Sequence, residues 1–151
     1  MPLSLQEVAD RIEIQDLLTR YCKAIDTKDW ELLDTCFTPD AHVDYVSSGG
    51  IAGSYPEARE WLGKALAIFP VTLHAISNSE ITLEGDRARG RTMVSNPMGF
   101  QNPDGSMHIF TVYAYYVDEL VRTPGGWRIA KRVEEQALLQ GELPKALQIP
   151  S

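Results

Sequence analysis

An α+β fold is predicted by a contrast along the chain and by a limit on its length. The first part carries apolar residues at gaps of three and four, the spacing of helices. The second part alternates apolar and polar residues between turns rich in Gly and Pro, the pattern of antiparallel strands. Helices and strands in separate blocks belong to α+β domains rather than to alternating, parallel α/β sheets. At 151 residues, 44% of them hydrophobic, residues 1–151 are read as one domain, irregular in the tail from about residue 143.

Each element has a local reason. Ser4 followed by Glu7 is a capping-box pattern, and Leu5, Val8, Ile12, Leu18, Tyr21, Cys22 and Ile25 continue as an amphipathic helix to about residue 26. "DTKD" breaks it, and Asp29 can cap a short helix, Trp30 to Cys36, that Pro39 helps to end. "AHVDYV" alternates as a strand, Gly49, Gly50 and Gly53 mark turns, and "YPEAREWLGKALAIF" reads as a third helix stopped by Pro70. Beyond it, "TLHAISNSEITLEGDRARGRTMVSNPMGF" holds two strand runs around "EGDR". "MHIFTVYAYYVDELVR" and "WRIAKRVEEQALL" follow, joined by "TPGG", so that four to six mainly antiparallel strands are expected. The segment Asn96 to Met107 reads either as a flap or as a plain hairpin connection.

Charge and composition exclude several functions. With 14 basic against 21 acidic residues the net charge is −7, which repels phosphate backbones and anionic membranes, so neither nucleic acid nor membrane is expected as a partner. Acidic residues interrupt the N-terminal apolar stretch and no long apolar run follows, which predicts a cytoplasmic protein without signal peptide or span. Cys22 and Cys36, the only cysteines, read as small core residues. The histidines fall in unrelated elements with no ligand spacing, so no metal is expected. "VSSGGIAGS" lacks the lysine of a phosphate loop and the strand and helix of a dinucleotide fold, so no cofactor is expected either.

The residues able to move protons are few. His74 lies in a strand-like run where Thr72, His74, Ile76 and Asn78 share a face, and imidazole titrates near neutrality. Asp26 reads as an acidic residue at a helix end, or as a carboxylate that fixes the tautomer of an imidazole. Tyr21 precedes it by about 140° of ideal helix, so the two need not face the same way. His42, beside Asp40 and Asp44, reads as solvated. In "TVYAYY", Thr111, Tyr113 and Tyr115 share one face, and Phe110, Val112, Ala114 and Tyr116 share the other.

The stretches "RYCKAID", "IDTKDW" and "VDY", with His74 downstream, resemble the SnoaL-like branch of the nuclear transport factor 2-like superfamily. The order of elements follows that fold over nearly the whole chain, and the resemblance implies a cone: a curved, mainly antiparallel sheet and three helices enclosing a pocket. "IDTKDW" and "VDY" are similar to the stretches carrying the catalytic aspartate and a pocket tyrosine in scytalone dehydratase, and Tyr21, Asp26 and His74 resemble the set of bile acid 7α-dehydratase. This sequence departs from the former at Ile25, where a tyrosine is expected, and at Ser95 and Asn96, where a second histidine is. The resemblance therefore implies catalytic roles for His74, Asp26 and Tyr21, and substrate contacts from Tyr45, Asn96, Thr111 and Tyr113, while Arg132, in "WRIAKRV", reads either as a binder of a substrate oxygen or anion or as a surface salt-bridge residue. It turns Thr111 and Tyr113 inward and leaves His108 structural.

The implied activity is that of a cofactor-independent lyase, a dehydratase-type β-elimination on a hydrophobic ring-containing small molecule. An isomerase or polyketide-type cyclase would use the same base. A non-catalytic small-molecule-binding module and the small subunit of an oxygenase are the alternatives outside that chemistry. Relatives of this kind are homo-oligomers, which favours a trimer over a dimer.

Overall fold

The computed structural model describes residues 2–150. Helix α1 (Leu5–Thr27) and the short α2 (Trp30–Asp34) are followed by β1 (Phe37–Asp44), a 3-10 turn (Val46–Ser48), β2 (Ala52–Ser54) and α3 (Tyr55–Leu66). The strands β3 (Val71–Thr72), β4 (Ala75–Glu84), β5 (Arg87–Gln101), β6 (Met107–Thr123) and β7 (Gly126–Gln140) complete the chain. They form one seven-stranded sheet in the order β2-β1-β7-β6-β5-β3, with β4 on the same edge of β5 as β3. Every pairing is antiparallel except β1 with β7. The sheet curls around the helices, the α+β cone expected.

Capping explains the helix starts. The Ser4 hydroxyl accepts from Glu7 N at 3.1 Å while the Glu7 carboxylate accepts from Ser4 N at 2.7 Å. Ser54 and Glu57 repeat the box at α3, and Asp29 caps α2 by accepting from Leu32 N. The buried face of α1 is Ile14, Leu17, Leu18, Tyr21 and Ile25, whereas Leu5 and Ile12 are 90% and 57% exposed. The expected stripe is thus corrected at Leu5, Val8 and Ile12, which face solvent. That end of α1 is tied down by polar bonds instead: buried Asp10 accepts from both terminal nitrogens of Arg122 at 2.7 and 2.9 Å and from Trp127 Nε1 at 3.1 Å.

The flap reading of Asn96 to Met107 is also corrected. β5 and β6 pair without a break from Arg87 and Val121 to Gln101 and Met107, leaving Asn102 to Ser106 as a tight turn closed by Asn102 N to Ser106 O at 2.8 Å. What covers the open end of the cone is the chain after β7. Trp61 Nε1 donates to Pro150 O at 2.9 Å and His108 Nε2 contacts Glu142 O, so the irregular tail lies along the rim.

Candidate active site

Asp26 stands at the end of α1 because the helix stops just beyond it. Lys28 takes a left-handed conformation with φ of 54°, its N–H bonds back to Ile25 O, and its ammonium reaches Phe69 O at 3.1 Å. The helix end is thereby held against the entry to β3. Asp26 keeps its side chain only 19% exposed there and accepts three hydrogen bonds: Thr72 Oγ1 at 3.2 Å, His74 N at 2.8 Å and His74 Nδ1 at 2.6 Å.

The backbone N–H of His74 is free for this because it faces away from β5, toward the outer edge of the sheet. Leu73 N donates to Pro97 O at 3.1 Å, so Pro97 turns its nitrogen toward the same edge, and that nitrogen has no hydrogen to return. The Asn96 side-chain oxygen also accepts from Leu73 N, at 3.2 Å. Leu73 thus turns its N–H toward β5, and His74, the next residue along the strand, turns its own outward, where it and the ring meet the carboxylate. With Nδ1–H donated to Asp26, Nε2 is the nitrogen left to accept a proton.

His74 lies in the wall of a cavity of about 300 Å³ between α1, α3, the 3-10 turn and the inner face of β5 to β7. Its walls are mostly apolar, with Trp61, Leu62, Phe69, Met98 and Val112 among them, and Leu143, Leu147 and Ile149 of the tail close it over. Tyr21 and Tyr45 line it and share a hydrogen bond between their hydroxyls at 2.8 Å. The Tyr21 ring stands edge-on to the His74 ring, 6.4 Å between centroids, so Tyr21 and Asp26 meet the same imidazole from two sides. Burial pushes both tyrosines well above their ordinary pKa, which keeps them hydrogen-bond donors. Asn96 also lines the cavity, so His74, Asp26, Tyr21, Tyr45 and Asn96 are brought together.

Three expected contacts are not. Phe110, Val112 and Tyr116 of β6 line the cavity; Thr111 and Tyr113 lie on the other face, and the Tyr113 hydroxyl donates to Gln140 Oε1 at 2.9 Å. The inward face is therefore the apolar half of "TVYAYY", because the concave side of the sheet packs on the helices. Arg132 is wholly buried and gives Nε and one terminal nitrogen to Asp118 at 2.8 and 2.7 Å. Its guanidinium lies 4.2 Å from the Tyr21 ring centre and 3.9 Å from that of Tyr116. It supports the tyrosines from behind rather than meeting a ligand. His42 is exposed on β1, as expected.

One polar residue of the cavity wall, Glu134, was not singled out by the sequence. The β6–β7 register shows why: Ile129 pairs with Leu120 but Lys131 with Glu119, and Leu138 pairs with Tyr113 but Gln136 with Ala114. Each step leaves an extra residue in β7, Ala130 and then Ala137, and each bulge turns the strand's faces over. Trp127 and Ile129 are inward before the first, Arg132, Glu134 and Gln136 after it, and Leu139 after the second. Strand alternation alone could not choose between Glu134 and Glu135. Among the described residues no three His, Cys, Asp or Glu side chains gather as a metal site, and no helix is long and apolar enough to cross a membrane.

A curled mixed sheet and three helices around an apolar cavity define a domain of the nuclear transport factor 2-like class. The chain belongs to the SnoaL-like domain family, whose sequence profile matches residues 6–133. It is 44% identical to the uncharacterized protein Rv2910c of Mycobacterium tuberculosis over 132 residues, 87% of this chain and 88% of that one. Among solved structures it resembles a provisionally named scytalone dehydratase from Novosphingobium aromaticivorans, with TM-score 0.79 and 20% identity over 92% of this chain and 91% of that one. It also resembles the hexachlorocyclohexane dehydrochlorinase LinA-type3 from Novosphingobium barchaimii, with TM-score 0.75 and 20% identity over 97% and 99%. At that identity the two structural likenesses establish the fold.

Proposed function

We propose that the protein is a cofactor-independent lyase in which His74 takes a proton from carbon and a group leaves from the neighbouring carbon. The observation that carries this reading is the 2.6 Å contact of His74 Nδ1 with Asp26 Oδ1 at the wall of an apolar cavity. Asp26 holds the tautomer that exposes Nε2 and stabilises the imidazolium formed when Nε2 takes the proton. Of the bonded pair Tyr21 and Tyr45, one hydroxyl donates to the other, and the remaining proton would go to the oxygen on which charge collects as the C–H bond breaks. The names of two proteins of the same fold, the provisionally named dehydratase and the dehydrochlorinase, both denote eliminations, which is consistent with this class.

The cavity volume, at the lower end for ligand pockets, suits a substrate of one or two rings bearing a carbonyl. Double-bond isomerisation or cyclisation would begin with the same proton removal. A binding module without chemistry would have no use for a carboxylate locked to a histidine by two hydrogen bonds, so the catalytic reading is preferred. We further place the protein in the cytoplasm as a homo-oligomer, a trimer in preference to a dimer.

The test is exchange of the acidic C–H of small aryl ketones for deuterium, followed by proton NMR in D2O. Wild type is expected to catalyse exchange, and His74→Ala to lose roughly 100- to 10,000-fold of it. Full exchange by His74→Ala would overturn the reading.

A further inference from the structure

The elimination needs somewhere for the leaving group's electrons to go. A chloride departs unaided; a hydroxyl does not, because hydroxide is a poor leaving group unless a proton reaches it as the C–O bond breaks. In a concerted step imidazole cannot supply that proton while it accepts another, and in a stepwise one a single nitrogen would have to serve both carbons in turn. We propose that Glu134 is the general acid of this reaction, so that the substrate class is a β-hydroxy carbonyl compound whose hydroxyl leaves as water. This inference rests on the reading of His74 as the carbon base.

Position supports it first. Glu134 is on β7, three strands along the sheet from β4, and the curl of the sheet brings both it and His74 into the wall of one cavity. The two groups are close enough for the charge of one to act on the other. A substrate in that cavity would have both groups in the wall around it.

Pairing supports it next. Among the described residues Glu134 forms no ion pair: Arg132, two positions earlier on the same face, gives Nε and one terminal nitrogen to Asp118, and its other terminal nitrogen has no hydrogen-bond partner. The Ser48 hydroxyl, buried in the cavity wall, lies beside the Glu134 carboxyl and favours its charged form. A carboxyl and a hydroxyl therefore stand together in the wall of a mostly apolar cavity. A ligand hydroxyl would have both to bond with.

Chemistry agrees. Burial holds the Glu134 carboxyl above the ordinary range for glutamate, against the lowering effects of Ser48, His74 and Arg132. The other titratable groups around it are Tyr21 of α1, Tyr45 after β1 and Tyr116 of β6, all kept neutral by burial. As His74 takes the substrate proton it becomes cationic, and that charge lowers the pKa of Glu134 at the moment a proton is wanted. The step balances: C–H and C–O bonds break, C=C and H–OH form, and imidazolium with carboxylate remain. Proton return from His74 to Glu134 through the released water restores the site, with no oxidant or reductant.

The experiment uses the full-length protein and Glu134→Gln, with three probes: a bicyclic aryl ketone, its β-hydroxy derivative and its β-chloro derivative. Glu134→Gln is expected to keep deuterium exchange on the parent ketone and chloride loss from the chloro compound within about threefold of wild type, and to lose roughly 100-fold or more in water loss. A carboxyl-carbon NMR titration with labelled glutamate, assigned by the signal missing in Glu134→Gln, should show Glu134 protonated above the range of ordinary glutamates. An ordinary titration, or equal losses on all three probes, overturns the acid role while leaving the base intact. If wild type neither exchanges nor eliminates, the reading of His74 falls, and this inference with it.

Discussion

Asp26 binds His74 twice, through the ring Nδ1 at 2.6 Å and through the backbone N–H at 2.8 Å, one to each carboxylate oxygen. A carboxylate that only balanced charge would need the first bond alone. The second fixes the backbone of His74, and with it the direction of Nε2 into the cavity. Asp26→Asn is therefore expected to do more than remove charge, since an amide turned to accept from one group presents its NH2 to the other. The predicted loss of exchange activity is about 100- to 10,000-fold, comparable to His74→Ala, with a fold unchanged by circular dichroism. A variant within tenfold of wild type would show that Asp26 positions nothing.

Much of this arrangement was legible in the sequence, and where it was not the reason is geometric. Capping residues Ser4, Glu7 and Asp29 act locally, so the helix starts could be read directly. Tyr21, Asp26 and His74 were found through motif resemblance, since nothing within a few residues of Asp26 reveals a partner so far along the chain. Thr111 and Tyr113 were assigned to the wrong face because alternation gives two faces without saying which is concave. Glu134 was missed because two bulges in β7 reset the alternation, and a bulge depends on the partner strand.

Arg132 and Asp118 make a buried ion pair whose removal from one side should be costly. Arg132→Met leaves Asp118 buried without its cation and is expected to destabilise the protein by about 3–5 kcal/mol. The double variant Arg132→Met, Asp118→Leu should regain much of this, because no charge is then stranded. Urea denaturation of the three proteins measures it; equal losses in single and double variants would contradict the account.

Asp10 predicts the acid limb of stability. Hydrogen bonds from Arg122 outweigh desolvation and hold its carboxyl at about 2, below the ordinary 3.8. A lowered native pKa stabilises the fold above the unfolded value, and the benefit is lost as pH falls from about 3.8 toward 2. Allowing for solvent around the partly exposed Arg122, the contribution is about 1–2 kcal/mol near neutrality. Asp10→Asn should be destabilised by that amount at neutral pH and approach wild type in strong acid. A constant difference across the range would assign the effect to packing alone.

Glu134 predicts the opposite sign. Its carboxyl is held above the ordinary 4.5 by burial, so between those two values the folded protein binds more protons than the unfolded chain. Stability then falls as pH rises through that interval, because the native state must either keep a proton that the solvent would remove or ionise inside an apolar wall. Below the unfolded value both states are protonated and the residue has no effect on pH dependence. Glu134→Gln keeps the shape and removes the titration. It should be more stable than wild type at about pH 8, with the advantage shrinking toward about pH 4. Denaturant midpoints across that range measure the difference. Stabilisation of a variant that has lost water elimination would mark Glu134 as a group retained at the expense of the fold, as expected for a residue kept for proton transfer. A midpoint difference that does not grow with pH would show that the Glu134 carboxyl is not held above its ordinary range.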